Sequence, residues 1–335
     1  IDNTKYVVFH RLCINDLSDS GNQPINHPTD TNITIICNGE IYNWRELADT
    51  YGFNIKSSSD CEIIVHMYKR FGIDKTVKEL DGVFSFVIVD NNTNKVYMGR
   101  DPIGVRPMYY GRDCYGSMCI SSESKALVDI CDRNINQFPA GYYSEVYEFK
   151  PVRYYNHSYV VGEENNEDMI IKGIREYLSE SVDKRLLSDR PVGCFLSGGL
   201  DSSLITALVS KKFTKVPLKT FSVGLEGSVD LKFARKVASH LGTEHHELIL
   251  SEEDMLGAIE DTIFQIGTWD TTTIRASTPM YLLSKYIKKN TDITVVFSGE
   301  GSDEASGSYM YFHNAPTLTD FKEECERLIK DLPYF

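Results

Sequence analysis

Short runs of apolar residues separated by turn-forming residues make up most of the first half of the chain. Runs of this length that alternate with polar positions are typical of β-strands. The predicted strands are 6–9, 33–37, 83–89, 95–99, 117–121 and 142–148. Two stretches with helical periodicity, 44–51 and 61–71, lie among them. This mixture indicates an α+β domain built from layered antiparallel sheets.

The second half alternates between helical and strand patterns. The predicted helices are 169–187, 202–212, 230–241, 252–265, 279–289 and 321–330, and the predicted strands are 192–196, 218–223, 245–248 and 293–297. Strands that are separated by helices predict an α/β domain with a parallel sheet. In such sheets, ligands bind at the carboxyl ends of the strands.

The segment 157–168 is polar, acidic and without periodicity, which is typical of an interdomain linker. It predicts one domain over residues 1–156 and a second over 169–335. A chain of 335 residues has room for two domains of common size.

Charge and cysteine usage exclude several classes of function. Asp and Glu number 48 against 35 Lys and Arg, for a net charge of −13, so the surface field repels nucleic acid and anionic membranes. The apolar runs are too short to span a membrane. The eight cysteines are scattered without a C-x-x-C pair, which indicates reduced thiols and a cytoplasmic setting.

The clearest motif is Ser197-Gly198-Gly199-Leu200-Asp201-Ser202-Ser203, between a predicted strand and a predicted helix. The glycines let the backbone approach an anion, and the N–H groups and hydroxyls at a helix N-terminus then point at it. Asp201 would repel a bare phosphate, so it indicates a bridging Mg²⁺ ion. The motif therefore predicts a pyrophosphate site; the alternative is a tight turn with a serine cap.

A second loop, Ser298-Gly299-Glu300-Gly301-Ser302-Asp303-Glu304, follows the predicted strand 293–297. Two such loops at neighbouring strand ends would bring Asp201 and Asp303 together as a carboxylate pair for one magnesium ion. The alternative interpretation is an acidic, solvated turn.

These motifs resemble a known family. The S-G-G-L-D-S-S loop resembles the pyrophosphate loop of N-type ATP-pyrophosphatases. The S-G-E-G-S-D-E loop, together with the block D-T-T-T-I-R-A-S at 270–277, resembles the asparagine synthetases. The resemblance implies an adenine nucleotide alpha hydrolase-like fold for the second domain, with ATP and Mg²⁺ as cofactors.

The resemblance also implies roles for individual residues. Glu300 would orient β-aspartyl-AMP and help to take a proton from ammonia, and Asp201 and Asp303 would bind Mg²⁺. Thr272, Thr273 and Arg275 would bind aspartate. The implied ATP-binding residues are Leu196, Ser197, Gly198, Gly199, Asp201, Ser202, Ser203, Val223, Ser298 and Gly299.

In the first half, Cys37-Asn38-Gly39-Glu40-Ile41-Tyr42-Asn43 reads as a turn after a strand, and Ser58-Ser59-Asp60-Cys61-Glu62 opens a helix with Asp60 as its N-cap. Both stretches resemble the glutaminase domain of class II amidotransferases, which has an Ntn-hydrolase-like fold. By that resemblance, Asn38 and Gly39 form an oxyanion hole. Arg11, Asn38, Glu40 and Asp60 bind glutamine, with Arg11 on its carboxylate.

In that family the nucleophile is an N-terminal Cys, whereas this sequence begins with Ile1. The family also continues beyond the last residue here. We therefore expect an N-terminal and a C-terminal segment outside the given sequence.

The resemblance implies the ATP-dependent synthesis of asparagine from aspartate, with glutamine or ammonia as the nitrogen donor. The reaction passes through β-aspartyl-AMP and releases AMP, pyrophosphate and glutamate. The implied partners are aspartate, glutamine and ATP, and analogy with the family adds a homodimer. The alternatives are a catalytically degenerate homologue that acts as a binding or regulatory protein, and a relative that amidates or cyclises another carboxylate.

Overall fold

The computed structural model describes residues 5–131, 133–156 and 166–331. These residues form two compact units, one made of 5–156 with 327–331 and the other of 166–326. Residues 157–165 of the predicted linker lie outside the described residues. The boundaries of the two predicted domains stay a prediction.

The first unit contains two antiparallel sheets. Its described strands are β1 (Ile25–His27), β2 (Asp30–Ile41), β3 (Gly82–Asp90), β4 (Lys95–Arg100), β5 (Tyr109–Arg112), β6 (Met118–Ser121), β7 (Arg133–Gln137), β8 (Tyr142–Glu145) and β9 (Val152–Arg153). The larger sheet has the order β1-β2-β3-β4-β8-β9, and the smaller has the order β6-β5-β7. Val96 and Met98 of β4 pack in one core with Met108 and Phe138, which flank β5 and β7. The predicted layered antiparallel architecture is confirmed.

Glycine ends one helix of this unit and interrupts another. Helix α1 (Trp44–Tyr51) ends where Gly52 adopts φ +65°, and the Gly52 N–H closes the last turn. Helix α2 (Glu62–Glu79) is interrupted at Gly72, whose φ is +77°. Short 3-10 helices lie at Asp19–Gly21 and Ser124–Leu127.

Two local predictions in this unit are wrong, and four short strands were missed. Residues 6–9 belong to no strand; Tyr6 and Val8 are exposed, while Val7 packs on the core. Residues 37–41 of the predicted turn at 37–43 continue β2, because Gly39 lets β2 pair closely with β3. The short strands β1, β5, β7 and β9 were not predicted, since they depend on partners distant in sequence.

The second unit contains one parallel sheet with the order β12-β11-β10-β13. Its described strands are β10 (Val192–Phe195), β11 (Lys219–Leu225), β12 (Glu244–Leu250) and β13 (Val295–Phe297). Its helices are α3 (Glu167–Arg185), α4 (Leu200–Ser210), α5 (Val229–Leu241), α6 (Glu252–Gly257), α7 (Ile259–Ile266), α8 (Thr271–Asn290), α9 (Ser302–Ser306) and most of α10 (Leu318–Asp331), with a 3-10 turn at Met310–Asn314. The predicted parallel α/β architecture is confirmed.

Two helix predictions in this unit need correction. The predicted helix 252–265 is two helices, because the chain breaks at Ala258. Helix α8 begins at Thr271 rather than at Pro279, since the Asp270 side chain caps its first turn. Among the described helices, none combines the length and the apolar content that crossing a bilayer requires.

Replacing Glu62 by glutamine is expected to remove an acid-sensitive part of the stability of the first unit. Glu62 is only 2% exposed. Burial by itself would raise its pKa, but hydrogen bonds with His66, the Ser57 hydroxyl and the Lys56 N–H lower the pKa to about 2. The folded pKa lies below the ordinary value of 4.5, so the stabilisation is complete above that pH and is lost as the pH falls toward 2.

The shift corresponds to about 3 kcal/mol at pH 7. The measurement is the free energy of unfolding in urea between pH 3 and pH 7. Glu46→Gln, on the exposed face of α1, is the control. If the free energy of unfolding of Glu62→Gln depended on pH as strongly as that of Glu46→Gln, the role of Glu62 would be contradicted.

Candidate active site

The SGG loop (residues 197–203) joins β10 to α4. Gly198 has φ +84°, and a Cβ there would lie 2.4 Å from the Ala234 N atom of α5. Gly199 is the N-cap of α4 and provides no side-chain cap. The first N–H groups of α4 therefore point toward the SGG loop, and no capping side chain accepts hydrogen bonds from them.

The SGE loop (residues 298–304) follows β13, which pairs in parallel with β10. Both loops therefore leave the sheet at its carboxyl edge. A Cβ on Gly299 would lie 2.9 Å from the Ser202 N atom, so the two backbones approach closely. The Ser302 hydroxyl donates to Asp201 Oδ1 at 2.9 Å. The two motifs form one surface.

The carboxylate oxygens on this surface are suitable ligands for a magnesium ion. Asp201 accepts from Ser302, and Asp303 Oδ1 accepts from the Ser308 hydroxyl. Each carboxylate keeps a second oxygen that has no hydrogen bond among the described residues. No group of three or more His, Cys, Asp and Glu able to hold a metal occurs among the described residues. Mg²⁺ does not need one, because it binds one or two carboxylates together with phosphate oxygens and water.

The same surface fits a polyphosphate. The uncapped N-terminus of α4 provides N–H groups and a positive helix end. Ser197 Oγ and Ser202 Oγ lie 2.9 Å apart at the mouth of the SGG loop. Ser203 Oγ is buried without a hydrogen-bond partner among the described residues. Leu196 is 1% exposed, and its N–H donates to the Phe221 carbonyl oxygen at 2.8 Å, so neither its side chain nor its N–H is open to a ligand.

The proposed aspartate residues lie in the first turn of α8. Thr272 and Arg275 are exposed. Thr273 donates through both its N–H and its hydroxyl to the capping carboxylate of Asp270, each at 2.8 Å. Arg275 forms no ion pair among the described residues, so its guanidinium is available to an anion.

The direction of α8 places this turn on the side of the two loops. Lys219, the first residue of β11, pairs with Asp292 just after α8, so the C-terminus of α8 lies at the amino edge of the sheet. Leu283 and Ile287 of α8 pack on Phe221 of β11. A 20-residue helix is about 30 Å long, which is long enough for its N-terminus to reach the carboxyl edge.

Val223 and Glu300 belong to the same edge. Val223 is half-buried near the end of β11, packed with the core that lies under α8. Glu300 is exposed in the SGE loop, and its N–H lies 3.5 Å from the Ser298 hydroxyl. No hydrogen bond among the described residues joins Glu300 to the first turn of α8.

In the first unit, Asn38 and Gly39 lie in β2 opposite Ser85 and Phe84 of β3. A Cβ on Gly39 would lie 2.2 Å from the Val83 carbonyl oxygen, so only glycine fits. The strand position explains why this motif contains a glycine although it is not a turn.

Asp60 and Cys61 pack beside this strand. Asp60 is 4% exposed, and its carboxylate accepts the Ile41 N–H of β2 at 2.6 Å. The N-cap of α2 is Cys61, so the predicted N-cap at Asp60 is wrong. Burial raises the pKa of Asp60. The hydrogen bond with Cys37, with burial and the Asp60 carboxylate, raises the pKa of Cys61 well above its ordinary value. Cys61 is therefore a neutral thiol at pH 7 and a poor nucleophile.

Arg11 lies in a neighbouring loop. Its guanidinium donates to the carbonyl oxygens of Asn15, Asp16 and Ser18. Asp16 in turn accepts the Ser58 N–H at 2.8 Å, which ties this loop to the segment that carries Asp60. Arg11 and Asp60 are thus brought into one region of the unit.

Three residues of these sites were missed by the sequence analysis. Asp16 organises the Arg11 loop; burial would raise its pKa, but hydrogen bonds from Ser18, Ser58 and Ser20 lower it. Its pattern, Asp followed two residues later by Ser, is a signal for an Asx turn and could have been recognised. Ser302 has no such local signal, because its contact with Asp201 depends on how two loops meet. Ser308 contacts Asp303 within its own turn, five residues away.

Two protein-family models match this chain. Residues 2–159 match the glutamine amidotransferase domain, and residues 173–332 match asparagine synthase. The match agrees with an antiparallel unit followed by a parallel unit that has glycine-rich loops at its carboxyl edge. The chain is therefore an amidotransferase domain joined to a synthase domain.

The relatives narrow this class. Glutamine-hydrolysing asparagine synthetase of Gallus gallus is 41% identical over 358 residues, which cover 98% of this chain and 63% of the relative. The Bos taurus and Homo sapiens synthetases are 40% identical over 356 residues, with the same coverage. The chain belongs to the family of glutamine-hydrolysing asparagine synthetases. It spans 63% of the length of these curated relatives.

Proposed function

We propose that the protein containing this chain is a ligase that makes asparagine from aspartate, with ATP as the energy source and glutamine or ammonia as the nitrogen donor. Aspartate is activated as β-aspartyl-AMP with release of pyrophosphate, and ammonia then displaces AMP. None of the eight cysteines is in a disulfide, and reduced thiols are typical of a cytoplasmic setting.

One observation supports this function above all others. The SGG and SGE loops leave neighbouring parallel strands and are joined by the hydrogen bond from Ser302 to Asp201. Such a surface combines helix N–H groups with carboxylates, which suits a magnesium-bound polyphosphate.

In the synthetase site, the SGG loop binds the β- and γ-phosphates at the N-terminus of α4. Val223, Ser298 and Gly299, together with Leu196, contact the rest of the nucleotide. Asp201 and Asp303 bind Mg²⁺, which when present neutralises charge on the phosphates as the aspartate carboxylate attacks.

Thr272, Thr273 and Arg275 bind aspartate. A guanidinium matches the geometry of a carboxylate with two parallel hydrogen bonds, so Arg275 takes the α-carboxylate. Glu300 orients the activated acyl group and accepts a proton from the incoming ammonia.

In the glutaminase site, Arg11 binds the glutamine carboxylate and Glu40 and Asp60 hold the amino group. Asn38 and Gly39 stabilise the negative charge that forms on the carbonyl oxygen of the glutamine amide when its carbon is attacked. The proximity of Arg11, Asp16 and Asp60 in one region of the first unit supports this arrangement.

The test is aspartate-dependent pyrophosphate release from ATP by the full-length protein, with ammonium and then glutamine as nitrogen donor. The proposal expects release with aspartate under both conditions. Release with ammonium alone would restrict the proposal to the synthetase half. Release with another carboxylic acid but none with aspartate would overturn it.

Replacing Arg275 by glutamine is expected to raise the KM for aspartate by about 10- to 100-fold, because a charge-assisted pair contributes about 1.5–3 kcal/mol. The KM for ATP and the thermal stability should not change, since Arg275 is exposed. Arg185→Gln on α3 is a matched surface control. A KM for aspartate equal to that of the control would contradict the assignment of Arg275.

A further inference from the structure

Two serine hydroxyls contact the two carboxylates that we assign to Mg²⁺. Ser302 Oγ donates to Asp201 Oδ1, and Ser308 Oγ donates to Asp303 Oδ1. Both serines belong to the chain that follows β13, and neither is among the residues to which a role has been given above.

The first contact joins segments that are 101 residues apart. Asp201 is in the first turn of α4, and Ser302 is the first residue of α9. The close approach of Gly299 to Ser202 and Asp201 leaves little freedom between the two backbones. The Ser302 hydroxyl is half-buried in this contact, so water competes with it poorly.

The second contact is local. The Gly307 and Ser308 N–H groups donate to the Asp303 carbonyl, at 2.9 and 3.3 Å, and close the turn after α9. Gly307 has φ +62°, which turns the chain back so that the Ser308 side chain reaches the Asp303 carboxylate. Ser308 is exposed, so this contact is weaker than that of Ser302.

Both contacts have the same consequence for the carboxylates. One oxygen of each group is held by a hydroxyl, and the other has no hydrogen bond among the described residues. A carboxylate fixed in this way loses less rotational freedom when it binds a cation. The hydroxyl also withdraws some negative charge from the carboxylate, which by itself would weaken metal binding. The net effect of a hydrogen bond to a metal ligand is nevertheless generally a higher metal affinity.

We propose that Ser302 and Ser308 are positioning residues that orient Asp201 and Asp303 for the metal ion of the nucleotide site. This inference rests on the proposed function in so far as it takes that site to bind a metal–nucleotide complex. Ser302 acts across the two loops and has the larger effect, and Ser308 acts within its own turn.

The test is a titration of the full-length protein with Mn²⁺ in the presence of α,β-methylene-ATP. Electron paramagnetic resonance measures the concentration of free Mn²⁺ at each step. The variants are Ser302→Ala, Ser302→Thr and Ser308→Ala. The matched control is Ser284→Ala, whose hydroxyl donates only to the Met280 carbonyl on α8 among the described residues.

Loss of a hydrogen-bond partner of a metal ligand typically costs 10- to 100-fold in affinity. We expect Ser302→Ala to raise the Kd for Mn²⁺ by about tenfold and Ser308→Ala by about threefold, the smaller value reflecting solvent exposure. Ser302→Thr, which keeps the hydroxyl, should stay within about twofold of the unsubstituted protein. Ser284→Ala should not change the Kd.

A Kd for Ser302→Ala equal to that of Ser284→Ala overturns the proposal for Ser302, even if aspartate-dependent pyrophosphate release is intact. A raised Kd in Ser302→Ala that Thr restores supports it, even if the protein activates a different acid. Absence of any nucleotide-dependent Mn²⁺ binding in the unsubstituted protein overturns both proposals. Thermal melting of each variant identifies a loss of folding. If Ser302→Ala does not fold, Ser308→Ala decides the question: a Kd equal to that of Ser284→Ala overturns the proposal, and a rise of about threefold supports it.

Discussion

Replacing Gly198 by alanine is expected to destabilise the second unit by about 4 kcal/mol, the sum of a positive-φ penalty and an overpacking penalty. The residue has φ +84°, and its Cβ would lie 2.4 Å from the Ala234 N atom and 2.5 Å from the Phe233 carbonyl carbon. Both atoms belong to the backbone of α5, so no side chain can rotate away. Relief requires the SGG loop or α5 to move.

The neighbouring glycine provides the matched control. Gly199 has φ −69°, and the nearest atom to its Cβ is Ser197 Oγ at 3.5 Å. Gly199→Ala should change the free energy of unfolding by no more than about 1 kcal/mol. It should still weaken ATP binding, because the open side of Gly199 faces the space where we propose that the phosphates meet α4.

The two effects are measured separately. Urea unfolding with hydrogen exchange resolved by peptide reports the stability of the second unit, and titration with an ATP analogue reports binding. Equal unfolding free energies for the two alanine variants would show that α5 does not constrain Gly198 in the way the distances require.

Replacing Asp101 by alanine is expected to destabilise the first unit by about 4 kcal/mol or more, because each buried N–H left without a partner costs about 1–3 kcal/mol. The Asp101 side chain is 1% exposed. It accepts hydrogen bonds from the backbone N–H groups of Phe84, Ile103, Gly104, Val105 and Arg106. These bonds fix the turn after β4 and join it to β3.

Asp113 is the matched control for this change. It accepts the Tyr115 and Ser117 N–H groups in a similar turn, between β5 and β6. That turn is solvated, since Tyr115 is 90% exposed, so water can replace the carboxylate. Asp113→Ala should therefore cost less than about 1 kcal/mol in urea unfolding. A loss at Asp101 as small as that at Asp113 would mean that water also reaches the turn after β4.

The sequence analysis identified most of the elements because their patterns are local. Trp44–Tyr51 begins and ends as predicted, since its apolar face and the following Gly52 are both encoded in neighbouring residues. The alternation of strands and helices after residue 166 likewise predicts a parallel sheet without knowledge of any contact. The SGG and SGE loops were found for the same reason.

Elements that depend on distant partners were missed or misread. Asn38–Glu40 has the composition of a turn, but pairing with β3 extends it into β2. Asp60 precedes a helix as a capping residue does, yet its carboxylate accepts the N–H of Ile41, the last residue of β2. In both cases a tertiary hydrogen bond overrides the local preference.

The order of residues by itself determined that this chain has an antiparallel unit followed by a parallel one, and which loops contain the glycines, carboxylates and hydroxyls of a nucleotide site. Only the tertiary structure decided that β13 lies beside β10, and hence that Ser302 reaches Asp201. The reason is physical: helix periodicity and turn chemistry act over a few residues, whereas strand order results from packing among segments a hundred residues apart.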